Sequence, residues 1–171
     1  KLAKKRGVRV KKASVAHIPF RANTFDCVIS VDVLYHKQVK DNLALHEFYR
    51  VLKPSGVLIL RVPANKWLKL MHDKEVHTRE RYTPRELKRK LLKAGFQIQL
   101  LSFVNVVLLP LAILKQLKEN LSTKKVESGV GKVPPLINRV LLALLLIEVT
   151  LLRYINLPFG LGLVSVCRKT P

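Results

Sequence analysis

The succession FDCVISV (Phe25–Val31), NLALHEFYRVLK (Asn42–Lys53), PSG (Pro54–Gly56) and VLILRV (Val57–Val62) decides the fold. The first run is β-rich and nearly all apolar, the pattern of a parallel strand covered on both faces, and it is expected at the centre of a sheet. In the second run Leu45, Phe48 and Leu52 recur at helical spacing and turn one apolar stripe toward a sheet, with Asp41 placed to cap the helix. Pro54-Ser55-Gly56 stops that helix, and the fourth run is the next strand. Strand, helix and strand in this order form the unit from which parallel sheets are wound.

Toward the amino terminus, residues 1–6 read as the last turns of a helix closed by Gly7, and Val8–Ser14 has strand composition. Toward the carboxyl terminus a long polar stretch, Pro63–Tyr82, follows the second strand, in the region where open α/β sheets place ligands. Thr83-Pro84-Arg85-Glu86 is a capping box with proline at the first helical position. Its helix runs to Ala94, stops at Gly95 and faces inward with Leu87, Leu91 and Leu92. A strand (Phe96–Phe103), a helical region (105–121), a polar linker (122–133), an apolar helix (136–153) and a last strand (Leu161–Lys169) complete the chain. This divides one domain, 1–171, into core elements at 8–104, a helical insertion at 105–156 and a final strand at 161–169. The expectation is a three-layer α/β sandwich on a mainly parallel sheet.

Composition narrows the function classes. The chain has 32 Lys and Arg against 11 Asp and Glu, a formal charge of +21, and 49% hydrophobic residues, enough for a core and too many for disorder. Such a charge suits either an anionic partner, nucleic acid or an acidic membrane surface, or simply a solvated basic surface; no nucleic-acid-binding signature accompanies it, and charge alone names no function. Cys27 and Cys167 have no metal-ligand spacing, so neither a zinc site nor a disulfide scaffold is expected. Seven of the first twelve residues are basic with no apolar stretch behind them, unlike a secretory signal, and the expected location is the cytoplasm, with peripheral membrane attachment as a variant. The run Val140–Leu152 contains Glu148, lies between Arg139 and Arg153, and is shorter than the about 20 residues a spanning helix needs.

Three stretches read together carry a resemblance: Ile18-Pro19-Phe20 followed by Phe25–Ser30, then Arg50-Val51-Leu52-Lys53-Pro54-Ser55-Gly56, then His72-Asp73 with His77, Arg79, Tyr82 and Thr83. The pattern resembles the class I S-adenosylmethionine-dependent methyltransferases, in particular the type 11 group. The resemblance implies a Rossmann-like sandwich with an antiparallel last strand beside Val57–Val62, S-adenosylmethionine as cofactor, and methyl transfer to a nucleophilic atom of a small-molecule or lipid-linked acceptor. The family's glycine-rich loop and the acid after its second strand have no counterpart, since Gly7 is the only glycine before Gly56. The chain is therefore expected to be an amino-terminally truncated domain, short of two strands, about 50 residues by the size of βαβ units. In the family's sheet order this leaves Val8–Ser14 without a neighbour, to pair with Phe25–Val31 or remain poorly ordered, and exposes a sheet edge through which the chain could dimerise.

Carried over residue by residue, the resemblance puts Ser14 and Val15 at the adenine, and Val31 and Asp32 beside the methionine part of the cofactor. It places His36 near the transferred methyl group as the candidate catalytic residue, and His77, Arg79 and Tyr82 on the acceptor side. Trp67 and Leu68 could line the same pocket. The cluster His72, Asp73, Glu75 and His77 fits an acceptor-binding loop better than a metal site. Two readings of another class stay open: a non-catalytic methyltransferase-like partner subunit, and a basic membrane-surface binding protein.

Overall fold

The computed structural model of the chain describes residues 6–7, 9–68, 81–121 and 134–170, with side chains left out at 118–121. In chain order the elements are β1 (Phe25–Val31), α1 (Asp41–Val51), β2 (Leu52–Pro63), α2 (Pro84–Lys93), β3 (Phe96–Val104), α3 (Leu109–Leu121), α4 (Pro135–Leu151) and β4 (Gly162–Lys169). The sheet order is β1-β2-β4-β3. β1 and β2 pair in parallel, Val28 beside Leu58 and Ser30 beside Leu60. β4 runs antiparallel to both neighbours, Ile59 facing Val166 and Leu101 facing Ser165. Three strands thus share one direction and the last opposes them, as the resemblance implied.

The core follows from the two periodicities. Alternate residues Leu58, Leu60 and Val62 of β2 are fully buried, and on the same side Ala44, Leu45 and Phe48 of α1 and Leu87 and Leu91 of α2 supply the helical stripes. Full burial of one such leucine is worth about 1.5–3 kcal/mol. The capping box of α2 forms as read: Thr83 Oγ1 accepts from the Glu86 N–H (3.3 Å) and Glu86 Oε2 from the Thr83 N–H (3.1 Å).

Several expectations are corrected. β1 is not central but the outermost strand among the described residues, and one face of it is open, with Ile29 65% exposed and Val31 half-exposed. The segment after Gly7 forms no strand over residues 9–13, and Ser14 instead makes an isolated antiparallel bridge with His17 across a tight turn. A strand needs a neighbour, and no strand of the described sheet lies beside β1's free edge to receive it. Val8 and residues 1–5 of the helix expected over 1–6 lie outside the described residues, and Arg6 lies in a turn. Asp41 is the first helical residue of α1 rather than its cap, which is Lys40 with no side-chain bond. β2 begins at Leu52, so Pro54-Ser55-Gly56 lies inside the strand, with Ser55 in a left-handed conformation (φ 60°). No helix among the described residues is long and apolar enough to cross a membrane.

Candidate functional site

Because β1, β2 and β3 share a direction, their carboxyl ends lie along one edge of the sheet, where open α/β sheets hold ligands. Each leaves the sheet near a left-handed Asp or Asn: Asp32 (φ 54°), Asn65 (φ 64°) and Asn105 (φ 62°). These side chains tolerate that conformation better than others, yet it costs free energy that tertiary bonds must offset. The Asp32 N–H donates to the Arg61 carbonyl (3.1 Å), and the Arg61 guanidinium meets the Asp32 carboxylate (2.5 Å). Asn65 Nδ2 donates to the Gly160 carbonyl (2.6 Å). The Asn105 and Val106 N–H groups both donate to the carboxylate of Glu148 on α4, the latter at 2.8 Å.

Beside the β1 end, residues 12–16 face Gln38 and Val39 across a cleft of about 600 Å³. A polar clamp on α1 fastens the residues that follow the 12–16 turn. Glu47 accepts from the Ile18 N–H (2.7 Å) and from Arg50 Nε (2.7 Å) and Nη2 (2.8 Å), while Arg50 donates to the Ile18 (2.9 Å) and Phe20 (2.8 Å) carbonyls. The hydrogen bonds from Arg50 hold the Glu47 carboxyl down at about 2 from the usual 4.5, against the opposing effect of burial. Ile18-Pro19-Phe20 is thereby fastened to the helix, and the turn before it is positioned.

Of the expected site residues, the structure places two in the cleft. Ser14 and Val15 line the cleft, Val15 packing against the core and Ser14 exposed. Ser14 Oγ accepts from the Ala16 N–H (3.2 Å), so the hydroxyl is used within its own turn. His36 stands on the loop between β1 and α1, half-buried, its ring stacked on Tyr35 with centroids 4.6 Å apart. Gln38 and Val39 of that same loop complete the cleft. Val31 is exposed and Asp32 half-buried in its pair with Arg61.

Tyr82 is placed differently from the acceptor-side position expected. It is 1% exposed, and its hydroxyl donates to Asp41 Oδ2 (3.0 Å) and the Leu34 carbonyl (3.3 Å), joining α1 to the β1 loop. Lys90 of α2 adds an ion pair to the same carboxylate (2.9 Å). Leu68 is buried and Trp67 exposed. His72, Asp73, Glu75, His77 and Arg79 lie outside the described residues. Sequence reasoning passed over Glu47, Arg50, Gln38, Asn65 and Asn105. The Glu47/Arg50 spacing of three on one helix face, and an Asn just past each of two β-rich runs, were the signals available.

Residues 1–60 match the family described as "Methyltransferase domain". A ubiquinone/menaquinone biosynthesis C-methyltransferase of Haemophilus ducreyi is 47% identical over 49 residues, which is 29% of this chain and 18% of that protein. The aligned stretch therefore spans about a fifth of the relative's length. Among solved structures, an S-adenosylmethionine-dependent methyltransferase of Thermotoga maritima superposes with a TM-score of 0.59 at 20% identity, covering 99% of this chain and 68% of the other. A methyltransferase solved in complex with a Haloferax volcanii methyltransferase activator gives 0.55 at 15% identity, covering 93% and 60%. Residues 1–60 are thus similar in sequence to a methyltransferase domain, and the fold of the described residues is like that of solved S-adenosylmethionine-dependent methyltransferases.

Proposed function

We propose that the chain contributes to S-adenosylmethionine-dependent methyl transfer, holding the adenine end of the cofactor in the cleft between residues 12–16 and Gln38–Val39. That cleft carries the reading: the turn expected to contact adenine lies opposite the loop that bears His36. Its lining fits a flat heteroaromatic ring, with Val15 and Val39 as apolar walls and the Gln38 amide able both to donate and to accept.

When bound, S-adenosylmethionine supplies a methyl group on a sulfonium centre, open to displacement by a nucleophile. The chain's own residues bind, orient and move a proton. Val31 and Asp32 form the wall beyond the cleft, and the Arg61 pair fixes the direction of the Asp32 carboxylate. His36 takes a proton from the acceptor where its nucleophilic atom carries one. His77 and Arg79 bind the acceptor, Arg79 being suited to a phosphate or carboxylate on a small or lipid-linked molecule.

Calorimetric titration of the native polypeptide with S-adenosylhomocysteine tests the cleft. Val15→Asp is expected to weaken binding at least tenfold. His36→Gln is expected to leave it within twofold while lowering kcat about a hundredfold on an acceptor found by turnover screening. Undiminished binding by the Val15 variant would remove the cleft from the proposal. A second reading, a non-catalytic partner subunit, is favoured by one observation: Ser14 and Asp32 both spend side-chain oxygens within the chain. Absence of binding to the unaltered polypeptide would give it the lead.

A further inference from the structure

The outward side of α4 is apolar in a way that water does not favour. Leu141, Leu145, Glu148 and Leu152 recur at spacings of three and four and form the side of the helix turned to the protein, Glu148 being 6% exposed. The opposite side carries Leu136, Val140, Leu142, Leu146, Ile147 and Val149, with Leu136 73%, Leu146 60% and Ile147 57% exposed. Leu111, Leu114 and Leu117 of α3 are exposed as well, and so are Tyr154 and Phe159 just beyond α4. A helix apolar on its outer side belongs against a non-aqueous phase or another protein, and a contiguous patch of this kind marks an interaction surface.

We infer that α4 lies in the interfacial layer of an anionic membrane, its outer face in the acyl region and its axis along the surface. Length and anchoring argue for lying on the bilayer rather than crossing it. Seventeen residues span about 25 Å at 1.5 Å per residue, short of the about 30 Å hydrocarbon core. The helix is also pinned sideways to the body of the protein by Glu148, which accepts from the Asn105 and Val106 N–H groups. Charge argues for lipid as the occupant. Arg139, in the second turn of α4, and Arg153, just past its end, are exposed; such long cationic side chains reach headgroup phosphates, and the chain's +21 charge is complementary to an anionic leaflet. Tyr154 and Phe159 suit the same boundary. The segment after α4 is bonded to the end of β2, Leu161 carbonyl to Ala64 N–H (2.9 Å) and Gly160 carbonyl to Asn65, so the surface adjoins the carboxyl edge of the sheet. The inference stands apart from methyl transfer and holds whether or not the cleft binds the cofactor.

Co-sedimentation of the native polypeptide with vesicles of phosphatidylcholine and phosphatidylserine (7:3), and of phosphatidylcholine alone, tests it. Binding to the anionic vesicles is expected to exceed binding to the neutral ones at least tenfold at low salt. Leu146→Glu/Ile147→Glu is expected to lower it at least tenfold, and Arg139→Gln/Arg153→Gln severalfold, with circular dichroism unchanged. In a Leu146→Trp variant the emission is expected to shift to the blue on vesicle addition. Failure to bind either vesicle overturns the inference, as does binding that Leu146→Glu/Ile147→Glu leaves intact. A stable dimer that the same double variant dissociates, without lipid binding, overturns it too and assigns the face to a second copy.

Discussion

Glu47 stands one turn from Arg50 on α1 and accepts three hydrogen bonds, two from that guanidinium and one from the Ile18 N–H, so it stays ionised in the folded chain down to about pH 2. An unfolded chain binds the proton near 4.5. The clamp's contribution is therefore fully present above about pH 4.5 and is lost as the pH falls toward 2, because protonation then favours the unfolded state. Arg50 is about a third exposed, so solvent screening keeps the contribution small. Glu47→Gln is expected to lose that contribution in urea unfolding at pH 7, with the difference from the parent vanishing by pH 2. Asp41 shows the limit of reading residues one at a time. At the start of a helix it resembles a cap, but its carboxylate is buried between Tyr82 and Lys90, partners 41 and 49 positions away that no local pattern connects.

At the scale of elements, the amino end of α2 is closed by a capping box local in sequence. Thr83→Ala removes one side of the capping box and is expected to cost about 1 kcal/mol, read as a lower Tm. The connection from α4 to β4 depends instead on close approach. A Cβ at Gly160 would lie against the backbone of Val104, its carbonyl carbon 2.9 Å away, and backbone cannot move aside as a flexible side chain can. Gly160→Ala is expected to lose about 2–4 kcal/mol in urea unfolding, an overpacking cost without cavity or charge. β1 was legible as a strand to the residue, Phe25–Val31, but its apolar run suggested cover on both faces while one face stands open. Composition reports that a strand is apolar; it does not report which neighbours are present to cover it.

For the whole molecule, the open face of β1, and its edge, free among the described residues, oppose the high charge. Ile29 and Val31 favour association of the chain with itself, whereas +21 charges on one chain repel a second copy at low salt. Sedimentation velocity of the 171-residue chain is expected to show mass rising with concentration and with salt, and Ile29→Lys/Val31→Lys is expected to remain monomeric throughout. The sequence alone determined the strand-helix-strand order, the capping box, the opposed direction of the last strand through its resemblance, and the apolar character of the helix around Glu148. These are set by short-range periodicity, turn chemistry and motif, all written within a few residues. Only the tertiary structure decided that Tyr82 is a buried strut, that one face of β1 stands open, that Glu47 and Arg50 fasten Ile18 and Phe20 to α1, and that Glu148 turns inward to leave α4 apolar outside. Each of those depends on which distant groups meet, and contact between residues tens of positions apart is fixed by packing rather than by any period in the chain.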